Sequence, residues 1–264
     1  MVWSWAFAHA FSIQLPWFAP VTLGLGTWCV YVADRLLDGW RQKPQRQLRE
    51  RHLFYARHRR PFLAALIVAA FPLAYLIFDR VTHRVRTDDV LLGIVGVLYF
   101  VLIHSPQKEH ASHNVKWMPK EMAVGILFAI ATTVPAWSRR PADGCWMLLS
   151  IALYAGICSW NCIAIQTWED NFPRNSLPME TMHRMTRWIG FKLRRFAVIL
   201  ALLAAGLATL APEPGIRLLL ASCSLSALLL LLLSRFSEHI HSRTLRVAAD
   251  MALLTPLLWM AVVH

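Results

Sequence analysis

The sequence predicts an all-α protein, a polytopic bundle of about eight transmembrane helices forming a single integral membrane domain over residues 1–264. Composition is the first observation: 57% of the residues are hydrophobic and only 16% are charged. The second is arrangement, because the apolar residues form uncharged blocks separated by short charged segments. Blocks of this kind are typical of helices that cross a bilayer.

Each uncharged block predicts one span, since a helix needs about 20 mostly apolar residues to cross a bilayer. The longest block comes first, because residues 1–33 contain no Asp, Glu, Lys or Arg. In chain order, the predicted spans are 11–33, 61–78, 90–104, 122–137, 144–166, 196–211, 218–234 and 247–263. Several are short, so we expect their helices to extend into the charged flanks.

The formal charge of +12 could suggest a nucleic-acid partner, but the distribution of the basic residues argues against one. Of the 27 Lys and Arg residues, 21 fall in the connections on one side of the predicted bundle. The positive-inside rule then makes the loops at about 34–60 and 166–195 cytoplasmic and puts His264 outside, as expected in a bacterial cytoplasmic membrane. The remaining use of the basic loops is to hold membrane lipid or a phosphorylated substrate.

At the cytoplasmic end of the first span, Asp34 and Asp38 are four residues apart, with Arg35 between them. On a helix both carboxylates point the same way, which is the geometry of a clamp for a metal and a diphosphate. The alternative is a helix-end salt-bridge cluster at the lipid headgroups. In the loop that follows, Arg51 and Arg57 belong either to a lid that reaches a diphosphate or to a solvated basic face.

Two further polar sites accompany span ends on the predicted cytoplasmic side. Lys120 begins the fourth span, where lysine ordinarily extends its amine to the interface. The fifth span ends with polar side chains, namely Asn161, Gln166, Glu169 and Asp170. So many polar groups at a span end are uncommon unless they face protein or a wet cavity.

These residues resemble the UbiA-type intramembrane prenyltransferases. That family's first signature reads Asn-Asp-x-x-Asp-x-x-x-Asp; Asp34 and Asp38 match its second half, whereas Val30 and Tyr31 replace Asn and Asp. The stretch from Lys120 through Gly125 to Pro135 resembles the family's fourth-span region, and Glu169 with Asp170 falls where a second acidic signature is expected.

The resemblance implies an enzyme that holds an isoprenyl diphosphate through Mg²⁺ and transfers its prenyl chain to a lipophilic or aromatic acceptor. The implied catalytic and metal-binding residues are Asp34, Asp38, Glu169 and Asp170. Those implied for the diphosphate are Arg35, Lys120, Arg51 and Arg57, with Asn161 and Gln166 lining a polar cavity. Family members also have a complete helix before the first signature, so residues 1–14 are expected to be its stub, with Pro16 and Pro20 marking the break.

Two other functional classes remain open. The chain could be a non-catalytic isoprenoid-binding or lipid-binding protein that kept the bundle, or a UbiA-type terpene cyclase. In the last span, Asp250 follows Arg246 by four residues, which favours an ion pair between them, although Asp250 could instead be a third acid facing the cavity.

Overall fold

The computed structural model describes residues 1–40, 54–55, 57–81, 83–104, 119–139, 144–170 and 184–260. Across these ranges the regular structure is helical and contains no strand, which confirms the all-α prediction. Arg51 lies outside the described residues. The side chains of Asp38 and Asp170 also lie outside them, although the backbone of each belongs to a helix.

The helices fall close to the predicted spans, with additional short elements. They are α1 (Val2–Ala10), α2 (Phe18–Trp40), α3 (Arg59–Tyr75) continued by a π-helical segment (Leu76–Arg80), α4 (His83–His104), α5 (Lys120–Trp137), α6 (Cys145–Asp170), α7 (Arg184–Phe191), α8 (Leu193–Leu210), α9 (Pro214–Phe236), α10 (Ser242–Ala252) and α11 (Leu257–Met260).

Among the described residues, four helical segments are long and apolar enough to cross a membrane. They are Arg59–Arg80, Cys145–Glu169, Leu193–Leu210 and Pro214–Phe236, and each overlaps a predicted span. The protein is therefore a membrane protein with helical spans, whereas the predicted total of about eight is not confirmed.

Two predicted spans have the wrong limits. The span at 11–33 is interrupted, because residues 11–17 are non-helical and α2 begins at Phe18, two residues after Pro16. The span at 247–263 is not one helix either: α10 ends at Ala252 and a turn precedes α11. The turn contains Thr255, whose hydroxyl donates to the carbonyl oxygen of Ser222 at 2.9 Å and so fixes the turn on α9.

The described residues fall into two compact units, and the first contains Met1 and residues 16–111. Within it, α2 packs against α3 and the π-helical segment. Pro72 inside α3 precedes this segment and removes a backbone donor from the helical ladder. The carbonyl groups of Ile77 and Val81 accept hydrogen bonds from Arg86 of α4 at 3.1 and 3.0 Å, which joins α3 to α4.

The second unit contains residues 2–15 and 112–264 and therefore combines α1 with α5–α11. Its helices α5 and α6 approach each other closely at Gly125, where an added Cβ would overlap the backbone of Cys158 and Ser159. The Ser159 hydroxyl donates to the Met122 carbonyl oxygen at 3.3 Å across the same contact. The short connection makes these two helices antiparallel neighbours.

Helix α1 is part of the core of this unit. Its Trp3 ring stacks on Tyr154 of α6 with the ring centroids 4.4 Å apart, and its indole donates to the Leu253 carbonyl oxygen at 2.6 Å. Phe7 is completely buried. At the end of α1, the backbone of Ala10 lies so close to Gly215 that an added Cβ there would come within 3.0 Å of it.

Candidate functional site

The acidic pair of the first unit lies on the last turns of α2. The Asp34 carboxylate is 3.4 Å from the Arg35 guanidinium, and the two side chains are only 15% and 13% exposed. Arg35 also lies over the Tyr31 ring, 4.9 Å from its centroid. Asp38 follows Asp34 by one helical turn, so the two residues lie on the same face of α2.

Tyr31 belongs to an aromatic cluster that extends from this arginine to Phe62. Tyr31 packs edge-on to Tyr55, with the ring centroids 6.3 Å apart, and Tyr55 packs against Phe62 at 4.4 Å. Burial raises the pKa of the Tyr55 hydroxyl, as does Tyr31, whereas Arg35 opposes the shift. Tyr55 is therefore neutral at physiological pH. Arg57, in the same stretch, is exposed.

A second polar cluster lies in the other unit and begins with an ion pair between α6 and α10. The Arg246 guanidinium is 3.4 Å from the Glu169 carboxylate, with side chains that are 33% and 13% exposed. Arg246 also attracts the charge of Asp250, and the ion pair predicted between these two residues stays a prediction. Helix α10 has 11 residues and carries both Arg246 and Asp250.

Asp250 of α10 lies near the side chain of Asn161 on α6. Asn161 is 6% exposed, and its Oδ1 is buried without a hydrogen-bond partner. Asp250 itself is exposed at the surface of this unit.

The N-terminal end of α5 contributes to the same cluster. Thr186 of α7 donates its hydroxyl to the Glu121 carboxylate at 3.0 Å. Cys162, next to Asn161, is close enough to Glu121 and Asp250 to be affected by both charges. The antiparallel contact at Gly125 puts half-buried Lys120 at about the level of residue 164, between Asn161 and Glu169.

The structure thus brings together part of the predicted site within one unit: Lys120, Asn161, Gln166 and Glu169 belong to the α5–α6 pair. Asp34, Arg35 and Asp38 belong to the other unit, and their convergence with Glu169 and Asp170 stays a prediction. From the sequence, Glu121 belongs to the polar segment that begins the fourth span but has no predicted role, and Cys162 has no predicted chemistry. The signal for Glu121 was its position beside Lys120 at a span end.

The predicted metal-binding carboxylates can be compared with the ligands that a magnesium ion requires. Among the described residues, no group of three or more His, Cys, Asp or Glu side chains could hold a metal ion. Mg²⁺, however, commonly takes one or two protein carboxylates and completes its octahedron with water and substrate phosphates. Magnesium binding by these carboxylates stays a prediction.

Comparison with known proteins gives no relative from which a function could be transferred. No family model matches the chain, and neither a curated protein nor a solved structure matches it. The chemistry of the two clusters therefore has to be argued from their own residues.

Proposed function

We propose that this protein is a divergent UbiA-type prenyltransferase, which binds an isoprenyl diphosphate with Mg²⁺ and transfers the prenyl chain to a lipophilic or aromatic acceptor. The proposal rests chiefly on α2, which carries Asp34 and Asp38 one turn apart with Arg35 between them. A polar cluster on α5, α6 and α10 supports it, because charged side chains are costly in a membrane protein and usually mark a functional site. We propose a bacterial cytoplasmic membrane as its location, with the site facing the cytoplasm.

The proposed roles follow from charge. Asp34 and Asp38 would hold the magnesium diphosphate from α2, the family resemblance implies the same role for Glu169 and Asp170, and the ion would neutralise the leaving group. Lys120 contributes a positive charge to the departing diphosphate, together with Arg51 and Arg57 from the loop before α3. Arg35 is already paired with Asp34 and stacked on Tyr31, so its first role is to hold Asp34 in position.

Binding and turnover test this proposal directly. Purified protein in nanodiscs should bind geranyl, farnesyl or geranylgeranyl diphosphate only with Mg²⁺, and Asp34→Asn and Glu169→Gln should each abolish that binding. Asp79→Asn is the matched control, because Asp79 also pairs with the next residue, Arg80, at 3.1 Å but is 54% exposed. Equal losses in Asp34→Asn and Asp79→Asn would show a general charge effect and would contradict the proposal.

The two alternatives are each favoured by one observation. The ion pair between Arg35 and Asp34 favours a non-catalytic isoprenoid-binding protein, because a paired carboxylate is less available to a metal. Such a protein would bind the diphosphate without releasing inorganic diphosphate. The rings around Tyr55 favour a terpene cyclase, since aromatic faces stabilise cations. A cyclase would release inorganic diphosphate and a cyclic hydrocarbon without any acceptor. Absence of Mg²⁺-dependent diphosphate binding would exclude the transferase and the cyclase and would favour the non-catalytic class.

A further inference from the structure

Helix α7 is fixed to the second unit by the face that it turns toward α5 and α6. The Thr186 hydroxyl donates to the Glu121 carboxylate at 3.0 Å, and Ile189 is buried. Gly190 lies against Thr167 of α6, so closely that an added Cβ would be 3.0 Å from the threonine hydroxyl oxygen. These contacts join α7 to the first turn of α5 and to the last turns of α6.

The length of α8 puts α7 at a membrane surface. Helix α8 is a candidate span of 18 residues. As a span it is about 27 Å long, slightly less than the hydrocarbon core of about 30 Å. Both of its ends must therefore lie where the lipid tails meet the headgroups. Only Lys192 separates α7 from the first residue of α8, so α7 lies at the same level.

The outer face of α7 is aromatic. Trp188 and Phe191, about one turn apart, are 50% and 79% exposed. The Trp188 ring packs edge-on against Phe196 of α8 with the ring centroids 5.7 Å apart, so it continues the apolar surface of that span. Trp side chains at this depth characteristically lie against lipid at the level of the headgroups. Lipid is therefore the occupant expected on this face.

Basic side chains accompany the aromatic face. The Lys192 amine is 4.4 Å from the centroid of the Trp188 ring. Arg187 is half-buried and Arg195 is exposed. Residues 181–212 contain no Asp or Glu, so no acid of this segment offsets the charge. Cations beside an aromatic face at the bilayer surface are typical of helices that bind anionic lipid.

We propose that α7 and the start of α8 bind an anionic phospholipid. The anionic-lipid surface consists of Arg187, Trp188, Phe191, Lys192 and Arg195. The two rings lie against the glycerol region and the upper acyl chains, while the cationic side chains pair with the phosphate. A zwitterionic headgroup carries no net charge to match these cations, so charge selects the anionic lipid.

An occupied anionic-lipid surface also bears on the polar cluster. Thr186, which precedes Arg187, donates to Glu121 beside Lys120. Lipid that holds α7 at the membrane surface thus helps to keep this hydrogen bond in place. The inference is independent of the proposed function, because it requires neither Mg²⁺ nor a diphosphate.

Quenching of tryptophan fluorescence by brominated lipids tests the occupant. The full chain is placed in nanodiscs of phosphatidylcholine and phosphatidylglycerol, with bromine on one lipid or on the other. The contribution of Trp188 is the difference between the protein with this residue and its Trp188→Phe variant; Trp188→Tyr serves if the latter fails to fold. We expect phosphatidylglycerol to be favoured at Trp188 by at least about fivefold, the contribution of one Lys or Arg near an anionic surface.

Charge variants and a matched control locate this preference. Lys192→Gln and Arg195→Gln should each lower it, and together they should bring the ratio close to one. Arg60→Gln removes an exposed arginine at the start of α3 and should leave the ratio unchanged. Arg194 is kept, because its guanidinium donates to the Ser234 carbonyl oxygen at 3.2 Å and joins α8 to α9.

Three results would overturn the anionic-lipid surface: no quenching of Trp188 by either lipid, equal quenching by both lipids in the wild type, or the same loss of preference in Arg60→Gln as in the Lys192 and Arg195 variants. Inorganic phosphate distinguishes a lipid headgroup from a free anion. The preference should persist in millimolar phosphate, and its loss there would assign these cations to a soluble phosphate and contradict the proposal.

Discussion

At the residue scale, the polar cluster of the second unit depends on Arg246, because this guanidinium joins α10 to α6. Its partner Glu169 is mostly buried, so removal of either residue leaves the other charge poorly compensated. The same arginine attracts Asp250, so the charges of the three side chains are coupled through Arg246. Substitutions at these positions should not act independently.

A double-mutant cycle on Glu169 and Arg246 checks this coupling. Glu169→Gln and Arg246→Met should each lower the thermal stability in detergent, and the double variant should be less affected than the sum of the two. We expect a coupling on the order of 1 kcal/mol, kept small because Arg246 is one-third exposed to solvent screening. The exposed pair Asp79 and Arg80 is the control and should show weaker coupling. Additive effects at Glu169 and Arg246 would show that the ion pair does not contribute.

A second prediction at the residue scale concerns the two positions where the chain departs from the first acidic signature, with Val and Tyr in place of Asn and Asp. Val30 and Tyr31 are 54% and 44% exposed, so new side chains can be placed there without disturbing a core. Under the proposed function, Val30→Asn combined with Tyr31→Asp should tighten Mg²⁺-dependent diphosphate binding on the order of tenfold, or about 1.4 kcal/mol. Isothermal titration measures this change. Tyr31→Phe, which keeps the ring over Arg35, should have no such effect, and weaker binding by the double variant would argue against a restored metal-binding edge.

At the element scale, the contact between α5 and α6 determines where Lys120 and Glu121 lie relative to Asn161. This contact depends on a glycine, because any Cβ at residue 125 would overlap the backbone of α6. Small residues allow close backbone approach of helices in membranes. The contact of Gly125 with α6, one turn after Lys120 and Glu121, therefore determines which residues of α6 lie beside these two side chains.

Gly125→Ala should therefore separate α5 from α6. We expect a destabilisation on the order of 1–3 kcal/mol, the usual effect of overpacking, together with weaker coupling between Glu121 and Thr186. Gly206→Ala on α8 is the matched control, since nothing lies within 4 Å of its added Cβ, and alanine favours a helix by up to about 1 kcal/mol. Thermal unfolding in detergent compares the two. Equal stability of both variants would show that the close approach is not required.

How much the sequence predicts also differs from element to element. The span at 144–166 was found as Cys145–Asp170, because a long uncharged block identifies a helix and its polar flank identifies the end. The prediction of one helix over 247–263 was wrong, because hydropathy gives no sign of the turn at residues 253–256. A hydrogen bond from Thr255 to Ser222 fixes that turn. The pairing of Glu169 with Arg246 could not be predicted either. Sequence spacing favours partners within one helix, and this pair joins two.

At the scale of the whole molecule, the charge distribution predicts which end of each helix faces the cytoplasm. The five cysteines are free thiols, and Cys145 at the start of α6 is the exposed one, whereas the others are partly or fully buried. It follows a connection with few basic residues, so the predicted topology puts it on the outer side. The natural sequence therefore contains its own topology reporter.

Labelling of intact cells with a membrane-impermeant maleimide should modify Cys145. The label should be lost in Cys145→Ser, because the remaining thiols are shielded by protein or lipid. Modification that requires permeabilised cells would reverse the topology and would put the loops at 34–60 and 166–195 on the outside. The proposed substrate side would change with it.

The position of α1 has a consequence for biosynthesis. Ribosomes make residues 2–10 early, yet Tyr154, Gly215 and Leu253, against which this helix packs or hydrogen-bonds, emerge much later. The chain meanwhile completes the helices of the first unit, from α2 to α4. During translation, Trp3 and Phe7 must therefore remain in lipid or bound to the insertion machinery until the C-terminal half is synthesised. Closure of the second unit is then a late, long-range event that follows the synthesis of α6, α9 and α10.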